Sequence, residues 1–211
     1  MKIELTAELL KKLLPNISSN AIEDYLPILQ ELLPKYDITT PERLAGYFAQ
    51  VGHESASFSI GRENLRYTTP TALRAAFGDK RFPTIELANQ YLKQPQKLAN
   101  YVYGGRMGNT LANDGWLYRG ASSIQLTGKE NFTKYSHDTY GDDRIVHHPE
   151  LLEQPLDYIQ SGLWYWKKHS LNKYCDKKDL KGMTIAINGA LNGYAQRQLI
   201  YNNCLKVLGI K

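Results

Sequence analysis

Apolar residues recur at spacings of three and four along most of the chain, interrupted by short runs rich in Gly, Asn, Asp and Pro. The pattern predicts helices at about 4–14, 20–33, 41–58, 70–77, 84–91, 95–103, 129–138, 155–168, 178–188 and 192–208. The helix over 41–58 is the best specified. Thr39 and Glu42 stand at capping-box spacing, and Pro41 occupies the first turn, where its missing N–H costs little. Leu44, Tyr47, Phe48, Val51 and Ser55 then form one stripe, extended by Phe58, that faces a core. Between Tyr103 and Gly128 the pattern changes. The run YGGRMGNTLANDGWLYRGASSIQLTG carries glycines and Asn-Asp pairs that oppose helix, and Ile124 and Leu126 alternate with polar neighbours as in a half-buried strand. Period-two spacing puts Gln125 and Thr127 on one face of that strand, with Ile124 and Leu126 anchoring the other. The expected fold is mainly α with a short irregular β element, and the length fits one domain or one domain with two lobes around a cleft. No repeat or linker divides residues 1–211, so a single domain is expected.

Composition narrows the class. Hydrophobic residues make up 42% and charged residues 22%, with a mean hydropathy of −0.47, as in ordinary globular proteins rather than disordered or membrane-inserted ones. The start, MKIELTAELLKKLL, is interrupted by Glu4, Glu8, Lys11 and Lys12, which suits neither a secretory signal nor stable membrane insertion. Synthesis in the cytosol without a signal peptide is expected. Cys175 and Cys204 stand apart from any second ligand at CxxC spacing, so free thiols are expected and no metal or other cofactor. A net charge of +5 favours encounter with an anionic partner: nucleic acid, a membrane face or an acidic cell-wall polymer.

One charge stands out from the apolar stripe. In VGHESASF, Glu54 falls roughly 80° from the centre of the stripe at about 100° per residue, a flank position that is half buried. Burial among apolar groups raises a carboxyl's pKa and suits it to donate a proton. His53 beside it suggests the zinc motif HExxH, but position 57 is Ser, so the second ligand is absent. Glu63, in GRENLRYT, lies nine residues on, and Gly61 permits a turn that brings it back toward Glu54. A second carboxyl in a polar setting near Arg62 or Arg66 would complete the pair that glycosidic hydrolysis uses. A surface ion pair between Glu63 and a neighbouring arginine is the competing reading. Tyr67, Trp116 and Tyr118 flank the inferred site and offer amphipathic surfaces for sugar, with Tyr103 as a further contributor. Trp164, Tyr165 and Trp166 suit packing instead.

GHESASF followed by ENLRY resembles the catalytic region of glycoside hydrolase family 19, the chitinase family that includes phage and bacterial endolysins. RMGN, DGWLYRG, IQLTGKENF and TIAINGALNG follow in the family's order, so the resemblance spans about residues 45–200. It implies a lysozyme-like α+β fold of two helical lobes flanking a cleft, with Glu54 as proton donor to the glycosidic oxygen and Glu63 as the base that activates water. By the same resemblance Thr127 holds that water, Gln125, Asn131 and Asn188 line the sugar groove, and Arg197 supports the carboxylates. His53 takes an orienting or structural part. The family inverts at the anomeric carbon, which implies carboxyls roughly 6.5–9.5 Å apart or more. Two departures stand out: Ala121 and Ser122 replace a basic residue and a glycine of the usual YRGRG, and Ala190 stands in the usual INGG. The expectation is a peptidoglycan-degrading endolysin of muramidase type, a monomer without a separate wall-binding domain, that reaches the wall after release by a holin or other route. A chitinase is the alternative within the family. A non-enzymatic basic module for nucleic acid is the alternative of another class, and no helix-turn-helix, zinc finger or RNP strand supports it.

Overall fold

The computed structural model describes residues 3–210. Thirteen α-helices run through them: α1 (Ala7–Leu13), α2 (Ser19–Lys35), α3 (Pro41–Glu54), α4 (Pro70–Phe77), α5 (Ile85–Asn89), α6 (Pro95–Tyr103), α7 (Asp114–Leu117), α8 (Lys129–Tyr140), α9 (Arg144–His147), α10 (Pro155–Lys168), α11 (Asn172–Asp176), α12 (Leu180–Asn188) and α13 (Tyr194–Val207). A 3₁₀ turn spans Pro149–Glu153. The short helices α7, α9 and α11 are too brief to leave a periodic trace in the sequence. The chain forms two compact units, one from residues 1–61, 122–125 and 151–211, the other from 62–121 and 126–150. No helix among the described residues is long and apolar enough to cross a membrane.

In the first unit α3 is the central element, and α13 packs along it. Its N-terminus is capped by Thr40 rather than by the expected Thr39: the Thr40 hydroxyl accepts from the Arg43 amide at 3.3 Å, with Pro41 opening the first turn. The predicted stripe is buried: Leu44, Tyr47, Phe48 and Val51 meet Leu10, Leu13 and Leu14 of the N-terminal region and Tyr158, Leu163 and Trp166 of α10. Gly52 lets the chain near α1 come close, since a methyl there would lie 2.7 Å from Leu14 Cδ2. Trp166 meets Tyr47 edge-on at 5.4 Å and donates its indole N–H to Asn172, the packing role expected of it.

The helix ends at Glu54, four residues earlier than its stripe suggests. Ala56, Ser57 and Phe58 adopt left-handed conformations (φ 47°, 58° and 65°), which turn the chain sharply. Ser55 closes the helix, donating to Val51 O at 2.6 Å and accepting from Phe58 N at 2.9 Å. Phe58 still reaches the core, 5.5 Å from the Tyr25 ring, but by a turn rather than by helical periodicity.

The second unit packs Leu65, Leu73, Phe82, Ala88, Leu98, Ala99 and Val102 into its own core. Gly115 seats α7 on α6, where a methyl would lie 2.6 Å from Ala99 O. The loop after α6 is organised by buried polar groups. Asn109 donates to Tyr103 O and accepts from Lys129 N, both at 2.9 Å, while Asp114 accepts from the amides of Thr110 and Leu111 at 3.0 Å. The strand expected around 124–127 is absent. Ala121 pairs with Arg62 and with Leu126 only as isolated bridges, and residues 122–125 form a turn with Ser122 and Gln125 left-handed. The alternation of four residues was too short to distinguish a strand from a turn with buried apolar groups, and the period-two argument for Gln125 and Thr127 falls with it.

Candidate active site

Glu54 closes α3 with its side chain 17% exposed, the half-buried flank expected from the helical angle. The apolar surroundings expected there are replaced by an ion pair. Arg197 on α13, only 2% exposed, donates Nη2 to Glu54 Oε1 at 2.5 Å and Nη1 to Gln50 Oε1 at 2.5 Å, and its Nε reaches Asn192 O at 3.3 Å. Gln50 lies one turn before Glu54 and is fully buried; its Nε2 donates to Thr184 Oγ1 on α12 at 3.1 Å. Thr184 in turn donates to Leu180 O at 2.8 Å. A carboxylate at a helix C-terminus faces the negative end of the dipole, and the guanidinium offsets that. Glu54 Oε2 makes no hydrogen bond to a described residue. His53 packs against Gly193, whose missing side chain and positive φ (69°) make room for the ring. Burial and then the Arg197 charge lower the imidazole's pKa, against opposing pulls from Glu54 and Gln196, so His53 is neutral near neutral pH.

Glu63, in the second unit, is held quite differently. Its backbone N–H donates to Gly120 O at 2.8 Å, and the Tyr103 hydroxyl reaches both carboxylate oxygens, at 2.8 and 2.9 Å. Burial raises the Glu63 pKa above the ordinary carboxylate range, while the Tyr103 hydrogen bond, the Gly120 backbone and the Arg119 charge pull it back. Tyr103 itself is driven far above the ordinary phenol range by burial and by Glu63, so it remains a donor. Tyr67 is shifted upward for the same two reasons, and its ring packs edge-on to Phe77 at 5.7 Å. The polar setting expected from Arg62 or Arg66 is corrected here. Arg62 donates to Pro149 O and Leu117 O, Arg66 is exposed, and Arg119 is the cation acting on Glu63. Arg119 Nε reaches Glu63 O at 3.3 Å and Nη1 reaches Trp116 O at 2.7 Å, with its guanidinium 3.5 Å over the half-buried Trp116 ring.

No family model matches the chain. A protein from Haemophilus influenzae (strain Rd), described as a glycosyl hydrolase family 19 domain-containing protein, is 32% identical over 188 residues, covering 88% of this chain and 90% of that protein. The chain belongs to glycosyl hydrolase family 19. Family 19 membership makes it an O-glycosyl hydrolase. Solved structures share its fold at low identity. Chitinase C from Streptomyces griseus HUT6037 has a TM-score of 0.60 at 18% identity, over 98% of this chain and 77% of that one. A bacterial family 19 chitinase gives 0.56 at 19%, over 98% and 95%. The class IV family 19 chitinase from Zea mays gives 0.55 at 16%, over 94% and 85%.

The remaining predicted residues of this family 19 chain divide by what their polar atoms do. Asn131 donates to Thr127 O at 2.9 Å, bracing the start of α8, with both residues half-buried. Gln125 donates its amide to Ser122 O at 3.0 Å. Asn188 donates to Asn192 O at 3.0 Å and accepts from Ala190 N at 2.9 Å, closing the turn after α12. These three amides, expected as sugar-facing groups, are tied to the backbone beside them. Tyr118 is 4% exposed, with its hydroxyl on Val146 O and its ring edge-on to Phe132, so it supports the second unit from inside rather than offering a sugar-stacking face. Gln50, Thr184, Asn109 and Arg119 escaped the sequence reading. Gln50 lies one turn before Glu54, but an amide on an apolar stripe announces no partner. No signal in one sequence says which of several arginines turns toward Glu63.

Proposed function

We propose that the chain is an endolysin-type enzyme hydrolysing β-1,4 glycosidic bonds of peptidoglycan by an inverting mechanism. Glu54 donates a proton to the leaving oxygen, and Glu63 removes one from the attacking water, which Thr127 helps to hold. The observation that carries this reading is the unlike bracing of the two carboxyls. Glu54 has one oxygen fixed by Arg197 and the other without a partner among the described residues. Glu63 is half-buried, and a carboxylate whose pKa is raised is the stronger base once ionised. Tyr103 keeps that ionised form accessible by donating to it. The net charge of +5 suits an anionic wall polymer. In this reading the enzyme is made in a bacterial host's cytoplasm, works as a monomer and meets the wall after release. Chitin is the second reading, favoured by the chitinases that share the fold.

Purified peptidoglycan and chitin oligomers, digested separately and read by mass spectrometry, separate the two. New reducing ends at N-acetylmuramic acid are expected; cleavage of chitin oligomers alone selects the second reading. Glu54→Gln is expected to lower the rate by about 10² to 10⁴ while the circular dichroism spectrum stays that of the wild type. A wild-type rate in that variant would remove Glu54 from the reaction.

A further inference from the structure

Behind Glu54 stands a chain of polar side chains whose direction is set at its far end. Thr184 has one hydroxyl proton, and it is engaged by Leu180 O at 2.8 Å. The oxygen can therefore only accept from Gln50, so the Gln50 amide nitrogen must face Thr184 and its carbonyl must face Arg197. A flipped amide would set N–H against N–H at Arg197 Nη1. Gln50 and Thr184 have no exposed surface and Arg197 is 2% exposed, so water offers no substitute acceptor. With Nη1 secured on Gln50, the planar guanidinium presents Nη2 to Glu54 Oε1 in one orientation.

We propose that Thr184 is a positioning residue for Glu54, acting through the Gln50 amide and the Arg197 guanidinium. Its hydroxyl fixes the polarity of the amide, the amide fixes the rotation of the guanidinium, and the guanidinium fixes the carboxyl. The consequence for turnover rests on the proton-donor reading of Glu54; the consequence for Arg197 does not.

Two measurements keep the claims apart. Thr184→Val preserves shape and removes the hydroxyl, whereas Thr184→Ser keeps the hydroxyl. In nitrogen-15 spectra of the whole protein, the wild type and Thr184→Ser are expected to show distinct, slowly rotating Arg197 Nη signals, and Thr184→Val is expected to merge them. Wild-type-like Nη signals in Thr184→Val would overturn the proposal whether or not the protein cleaves glycan. On the glycan substrate that the wild type cleaves, Thr184→Val is expected to lower kcat about tenfold or more with KM little changed, because a displaced donor slows the chemistry more than it weakens binding. Thr184→Ser is expected to restore the rate. A kcat unchanged in Thr184→Val, or a loss that Thr184→Ser shares, would also overturn it. If Glu54→Gln retains full activity, the proton-donor reading fails instead, and the Nη signals still decide the positioning role.

Discussion

Glu63 shows how a single residue carries opposed demands. Burial raises its pKa, and Tyr103, Gly120 and Arg119 moderate the rise. If Glu63 is the base proposed above, it works only when ionised, so activity is expected to fall as pH drops through the raised value, at a higher pH than for a solvated glutamate. Tyr103→Phe removes the donor that favours the ionised form and moves this acidic limb further up. In a kcat/KM profile the loss is expected to be larger at about pH 5 than at about pH 8; a uniform loss would leave Tyr103 with no part in setting the proton balance. The same shift predicts a stability effect of the opposite kind. Folded Glu63 holds its proton more tightly than the unfolded chain does, so its favourable contribution is complete below the unfolded value and is lost as pH rises through the folded one. Glu63→Gln mimics the neutral form. It is expected to melt above the wild type at neutral pH, to converge with it below about pH 4, and to lose about 10² to 10⁴ in rate. Parallel thermal melts across that range test the sign. The sequence made both glutamates visible, because each interrupts an expected pattern beside a recognisable neighbour. Their surroundings were not visible, since Arg197 and Tyr103 reach them across 143 and 40 positions of chain.

At the scale of elements, most helices were legible because their apolar periodicity and their first turns agree. Pro70 with Thr69 and Pro41 with Thr40 each place a capping hydroxyl before a proline-opened turn. The ends were harder. Phe58 fits the α3 stripe by spacing and is buried, yet three successive left-handed residues of types that seldom adopt that conformation carry the chain there. Such a turn persists only if something over-determines it, and Ser55 is the local device, bonded to Val51 O and Phe58 N with no exposed surface. Ser55→Ala leaves the Phe58 amide without its acceptor and is expected to destabilise the protein by about 1–3 kcal/mol. Because the turn directly follows Glu54, activity is expected to fall with stability. Denaturant melts, compared with rates measured well below the transition, check both; an unchanged midpoint would show that the turn is held from elsewhere.

At the scale of the whole molecule, the chain enters and leaves each unit more than once, which explains why no composition shift or linker marked a boundary. The excess positive charge was legible, but its distribution needed the fold. Lys12, Lys35 and Lys134 are paired with glutamates one turn away, so they add little to the outward field. Around α11 and α12 the balance differs. Lys177, Lys178 and Lys181 are exposed, while the nearby carboxylates have other partners: Asp176 binds Arg43 at 2.7 Å and Asp179 caps the Gly182 amide at 2.7 Å. If an anionic wall is the substrate, this segment contributes to encounter without touching the bond that breaks. Replacing Lys177 and Lys178 with Gln is then expected to weaken wall binding several-fold at about 0.05 M salt. The effect should fade toward about 1 M, where the Debye length shrinks to about 3 Å. Cleavage of short neutral chitin oligomers, if it occurs, should be unaffected at either salt concentration, because they carry no charge for the lysines to attract. Sedimentation of the protein with purified walls across a salt series measures the first effect. A double variant that binds walls like the wild type at low salt would place the attraction elsewhere on the surface, and equal losses on charged and neutral substrates would mean that the two lysines act on the reaction itself.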